Sequence, residues 1–167
     1  SARAGGRVMA STRTFVEKRL KLRVNEAKSA VAPATSRPFL GFACYRRDKE
    51  VKVRLDPKAK AAAKAKIRRL TGRSWRVSME VRIKVLNRFT WGWVAYFALA
   101  DTFSVFAELD EWLRRRLRQV RWKEWKKRTG RYRGLVACGI PPWLARKWAG
   151  SGRACWRVAG SPVLQRA

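Results

Sequence analysis

The chain has no histidine, and Asp and Glu together number only 11 of its 167 residues. Lack of histidine removes the commonest general base, the usual serine triad and most zinc sites. Metal-dependent phosphoryl transfer needs clustered carboxylates. Here only Glu108-Leu109-Asp110-Glu111 is dense, and no Asp-Asp pair occurs. Glu108 and Glu111 lie one helical turn apart and could share a cation. Acids early in a helix, paired with Arg114 or Arg115, are the simpler account. There is no glycine-rich phosphate loop of the P-loop type. The three cysteines, Cys44, Cys138 and Cys155, are far apart with no CxxC pair, which points to reduced thiols rather than a disulfide framework. Cys138 precedes Gly139 but has no histidine to activate it. No complete catalytic set emerges, and no cofactor, metal or small-molecule substrate is expected for this chain.

Long apolar runs are equally scarce. The stretch Phe89 to Ala107 is almost uncharged, but its continuous apolar part, Trp91 to Ala100, is interrupted at Asp101 and Thr102. That run is about half the length of a membrane span, so a buried core helix is expected and a membrane partner is not. No signal peptide opens the chain, and it begins at Ser1 rather than Met. A processed chain or a fragment is the expectation from that start.

What the chain has in abundance is positive charge and tryptophan. Lys and Arg number 41, formal net charge is +30, and there are 9 tryptophans in a composition 47% hydrophobic. Such an excess repels itself in a compact fold unless a polyanion neutralises it. Nucleic acid is the first choice, with an anionic membrane surface as the competing class. The apolar content is enough to build a core, which argues against a disordered basic tail.

Three regions follow one another. In the first, to about residue 56, Gly5 to Arg19 has the spacing of an amphipathic helix and Leu20 to Val24 (LKLRV) alternates like a half-buried strand. RPFLGFACY and VKVRL, around a polar turn near Arg47 to Glu50, read as a hairpin. In the second, Asp56-Pro57 suits a helix start, and Ser78 is the expected N-cap of a helix over Met79 to Asn87 with Val81, Val85 and Leu86 inward. A further helix covers Trp91 to Leu99, with Gly92 a point of close packing. A long helix then runs from about Thr102 to Arg128, stopped at Thr129-Gly130. In the third, the segment ending at Gly139 and the one starting at Pro141-Pro142 are short helices, and the turn-rich tail either wraps back or stays loose.

Trp112 to Arg128 reads WLRRRLRQVRWKEWKKR. At about 100° per residue, Leu109, Leu113, Leu117 and Val120 form a core stripe edged by Phe106 and Trp112. Arg114, Arg115, Arg118 and Arg121 fall on the opposite side, and Trp122 and Trp125 fall among them. Either the C-terminal segment covers these two tryptophans, or they offer flat faces to bases between phosphate-binding arginines. With Lys126, Lys127, Arg128 and Arg131, these residues form the candidate RNA-binding set.

At this point the chain resembles a known family. LKLRVNEAKSAV followed by RPFLGF is similar to motifs six and seven of group II intron reverse transcriptases. LNRFTWGWVAYF, RWKEWKKRTGRYRGL and ARKWAGSGRACWRVAGSPVLQRA resemble the maturase-specific domain, or thumb, of that family. The resemblance implies a mainly α protein with a small N-terminal α+β part. Residues 1–56 would be a remnant of the polymerase palm, 57–130 the thumb helices, and 131–167 the short helices and tail of the maturase domain. It implies group II intron RNA and the template–primer duplex as partners, with the absent palm and fingers as a further candidate partner, in the bacterial cytoplasm. Lys28 matches the motif-six lysine beside the incoming nucleotide, and Phe39, Leu40, Gly41 and Phe42 match the turn that supports the primer end. The catalytic aspartates of the family, and the Mg²⁺ they hold in the complete enzyme, are not expected in this chain, so no polymerase activity is expected of it alone. Three positions depart from the family's pattern: Trp91, where a basic residue is common; Cys138, where an aliphatic one is usual; and Ala154-Cys155, in place of a glycine-led pair. An unrelated basic RNA-binding or ribosome-associated protein is the alternative that the charge alone would also fit.

Overall fold

A computed structural model describes residues 2–72 and 74–166. The protein is mainly α: eight α-helices and one two-stranded antiparallel sheet are found among the described residues. The chain divides after Asp56 into two compact units.

The first unit holds helix α1 (Ala2–Lys18), a single 3-10 turn (Glu26–Lys28) and the hairpin β1 (Phe42–Arg47) and β2 (Glu50–Leu55). The hairpin register pairs Phe42 with Leu55 and Arg47 with Glu50. Asp48 and Lys49 both take positive φ, as a two-residue loop matched to the strand twist requires. The expected strand over Leu20 to Val24 is not formed. Its alternation finds no neighbouring strand among the described residues, and Leu20 and Leu22 are exposed. A strand needs a partner for its backbone groups before its pattern counts.

The second unit begins with α2 (Pro57–Leu70), where Pro57 takes the first helical position. Ser78 accepts from the Val81 amide at 3.3 Å and starts α3 (Met79–Phe97). The expected break near residues 88 to 90 is absent, because nothing in Arg88-Phe89-Thr90 opposes helix, so two expected helices are one. Leu86 is buried, Val85 is half-buried and Val81 faces out, contrary to the inward placement read from spacing. Gly92 has open space where a side chain would stand, so it is no packing point. The Phe89 to Ala107 stretch is not a buried core helix either. Phe97 and Ala100 are buried, but Trp91 is 76% exposed, Leu99 85% and Phe103 77%. One side of α3 packs against α2, and the other side of its second half is left outward.

Helix α4 (Phe103–Glu124) is the axis of the unit. Leu109 and Val120 on its expected stripe are buried. It ends earlier than its sequence suggests. Trp125 leaves the helical region at φ −76, ψ 67, and α5 (Arg128–Ala137) starts three residues later, with Thr129 and Gly130 inside it. The cause is tertiary. The Trp125 ring lies against Gly134, where a Cβ would come within 2.2 Å of the ring. Arg131 Nε donates to the Trp125 carbonyl at 3.2 Å, satisfying a group that the break frees. The division expected at residue 130 thus falls inside a helix. Gly139, at φ +82, closes α5. The tail forms α6 (Pro142–Ala149), α7 (Cys155–Ala159) and α8 (Pro162–Arg166). These close over the end of α4 to make a core of Trp122, Leu135, Ile140, Ala145, Val158, Val163 and Leu164.

Candidate nucleic-acid interface

With few acids to pair with, several arginines of the second unit are held by carbonyl oxygens and tryptophan rings. Arg82, buried in α3, donates to the carbonyls of Leu70, Gly72 and Trp75 at 2.8, 3.2 and 2.9 Å. Its guanidinium also sits 5.1 Å from the Trp75 ring. Burial pushes its pKa down. Arg116 donates to Thr71 Oγ1 at 2.5 Å and lies over Trp112. Together the two arginines tie off the C-terminal end of α2, where free carbonyls and the helix dipole favour a cation. Lys64 and Arg68 share the Trp112 ring from α2.

The same use of arginine alters the candidate set on α4. Arg115 donates to the Trp156 carbonyl at 3.0 Å and stacks 4.2 Å from that ring, binding α7 to α4. It is a packing residue, not part of an open cationic face. Trp122 is completely buried, in edge contact with Trp125 and beneath Arg131 at 4.8 Å. A base cannot stack on it; α5 to α8 cover what the wheel places outside. Trp125 is half-buried on Gly134, and its packing role is the one the geometry supports. Arg131 is committed to Trp122 and to the Trp125 carbonyl.

The other members of the set reach solvent to differing degrees. Arg114 is exposed but paired with Asp110 at 2.8 Å, and Arg121 is paired with Glu124 at 3.2 Å. Arg118 is half-buried with its Nε lacking a partner. Its pKa is pushed down first by burial and then by the neighbouring charges of Arg114 and Arg115. An anion here would favour the charged form and so offset both effects. Lys126, Lys127 and Arg128 are exposed at the turn into α5.

Further exposed cations, outside the candidate set read from the sequence, lie on α5 and α6. From Trp125 to the end the chain contains no Asp or Glu. Arg133 on α5 and Arg146 and Lys147 on α6 are exposed, as is Trp143. The signal was present as an acid-free run, but it needed the α5–α6 packing to become one surface.

Acids are used structurally. Glu108 bridges α4 to α2 through Lys60 at 2.5 Å and Lys64 at 2.8 Å. Hydrogen bonds from these two lysines pull its carboxyl down to about 2. Among the described residues no three His, Cys, Asp or Glu side chains gather where they could hold a metal ion. No described helix is long and apolar enough to cross a membrane.

In the first unit, Leu40 and Gly41 both take positive φ, at 50 and 82. Phe39 and Phe42 exchange backbone hydrogen bonds at 2.8 and 2.9 Å across them. This makes a tight turn that leaves the Phe39 and Leu40 side chains exposed. Lys28 closes the 3-10 turn, its amide donating to Asn25 Oδ1 at 3.1 Å, and is also exposed.

The helices and their outward cations define a basic, mainly helical domain in which Glu108, Asp110 and Glu124 pair with cations of the fold itself. Residues 60–139, from the first turn of α2 to the end of α5, match the family model described as group II intron, maturase-specific domain. Through this domain the chain resembles the C-terminal part of group II intron maturases, which the match supports. The match supports a part in group II intron splicing and implies intron RNA as the partner. A comparison with curated proteins finds no match.

Proposed function

We propose that this chain is the RNA-gripping C-terminal portion of a group II intron-encoded reverse transcriptase and maturase. It binds structured intron RNA, and in the complete enzyme the template–primer duplex, through the outward cations from Arg118 to Lys147. The observation that carries this reading is the acid-free run after Glu124, in which Lys126, Lys127, Arg128, Arg133, Arg146 and Lys147 are exposed with no carboxylate in the same segment. Phosphates supply the missing negative charge, and release of their counterions drives association. Arg118, crowded by Arg114 and Arg115 and with its Nε unpartnered, is one of the groups that such an anion would stabilise. Lys28 and the Phe39 to Phe42 turn serve the nucleotide and primer end only when the palm and fingers, with their Mg²⁺, are supplied. Bond-making chemistry therefore lies outside this chain.

The test is a binding titration of the full chain against a structured group II intron RNA and a scrambled RNA of equal length, repeated over a range of salt. Tighter binding of the intron RNA is expected, with affinity falling steeply as salt rises, close to one unit of log–log slope for each phosphate contact. Equal affinity for both RNAs removes the maturase reading, and absence of binding in dilute buffer removes RNA binding altogether.

A further inference from the structure

Between α5 and α6 lies a cavity of about 440 Å³ lined by Arg128, Thr129, Tyr132, Arg133, Arg146 and Ala149. Three of its six lining residues are arginines, and none is acidic. Among the described residues, Arg128, Arg133 and Arg146 make no ion pair and no side-chain hydrogen bond. This sets them apart from Arg82, Arg115 and Arg131, which hold carbonyls and rings. The Arg128 guanidinium rests against Gly150, where a Cβ would stand 3.2 Å from its Cζ. Three unpartnered guanidinium groups and two hydroxyl-bearing side chains form a donor-rich hollow suited to a phosphate.

Trp143 is not itself in that lining but stands on α6 one turn before Arg146, which is. It precedes Arg146 by three residues and Lys147 by four, so all three share one side of the helix. The other side of α6 packs inward through Leu144, Ala145 and Trp148. Trp143 is 71% exposed and has no part in that core. A large aromatic face held outward beside unpaired cations is the combination that single-stranded nucleic acid uses. The other exposed apolar edge, at Trp91, lacks this pairing. The cavity beside it, about 330 Å³, is lined mostly by apolar side chains and by Asp110.

We propose that the α5–α6 corner holds an unpaired RNA nucleotide, with its phosphate among Arg128, Arg133 and Arg146 and its base stacked on Trp143. This rests on the RNA-binding reading and adds to it a site on α6, outside the matched residues 60–139. A base in an A-form duplex is already stacked on its neighbours and cannot lie on the ring. A loop, bulge or single-stranded end can. The corner therefore selects unpaired segments, while the remaining cations grip backbone of either kind.

The test measures affinity of the full chain for a short single-stranded RNA of mixed sequence and for a blunt RNA duplex of equal length. Trp143→Ala is expected to weaken single-strand binding about tenfold and to leave duplex binding within about twofold. Trp143→Phe, which keeps an aromatic face, should retain most of the single-strand affinity. The double change Arg133→Ala and Arg146→Ala should lower the single-strand salt slope by about 1.4. Trp91→Ala, equally exposed but away from the cations, should change neither affinity. Melting midpoints of all variants should match that of the parent, since none of these side chains is buried. Unchanged single-strand affinity in Trp143→Ala, equal loss on both RNAs, or the same loss in Trp91→Ala overturns the site. Parent protein that binds duplex but not single strand also overturns the site and leaves RNA binding standing. Parent protein that binds neither RNA overturns both.

Discussion

Arginines without a carboxylate partner fall into two groups in the second unit, packed and open. Arg82, Arg115, Arg116 and Arg131 satisfy backbone carbonyls and lie over tryptophan rings. Arg128, Arg133 and Arg146 have no such partners among the described residues. Tryptophan divides in the same way. Trp122 is sealed in the core, whereas Trp143 and Trp91 face out. Trp122→Ala is therefore expected to destabilise the second unit by about 3–5 kcal/mol, and Trp91→Ala by about 0.5 kcal/mol or less. Denaturant unfolding measures both, and similar costs for the two would contradict the assignment of Trp122 to the core. The sequence placed Trp122 and Arg115 on an outward face because a wheel knows only one helix. Nothing in Trp112 to Arg128 states that α5 to α8 return to cover that face.

At the scale of elements, local chemistry was readable where it acts alone. The Asp48-Lys49 loop, the start of α2 at Pro57, the Ser78 cap and the end of α5 at Gly139 each follow from nearby residues. The end of α4 does not. It depends on Trp125 finding Gly134 nine positions later, an encounter that outweighs the stop signal at Thr129-Gly130. The bridge from α2 to α4 through Glu108 is also a tertiary product. Its carboxyl is held at about 2 against an ordinary 4.5, so its stabilising effect is complete above about 4.5 and is lost as pH falls toward 2. Glu108→Gln should accordingly melt below the parent at neutral pH, with the gap closing between these two values. Because the group is exposed, the gap should also shrink in high salt. A gap independent of pH over that range would show that the lysines do not hold the carboxylate.

At the scale of the whole molecule, a net charge of +30 works against compaction. Raising NaCl from about 0.02 M to about 0.3 M should raise the melting midpoint, since screening weakens this self-repulsion. A midpoint that falls with salt would mean that ion pairs outweigh repulsion. The sequence by itself determined the mainly α class, the hairpin, the excess of cations and the scarcity of clustered acids. These depend on composition and on spacings within a few residues. Tertiary structure alone decided which arginines are spent on carbonyls and which stay open, which tryptophans form the core, and that α5 and α6 bring Arg128, Arg133 and Arg146 around one hollow. Those outcomes depend on contacts between residues distant in sequence, and burial changes the energy of a charge or a ring more than its identity does.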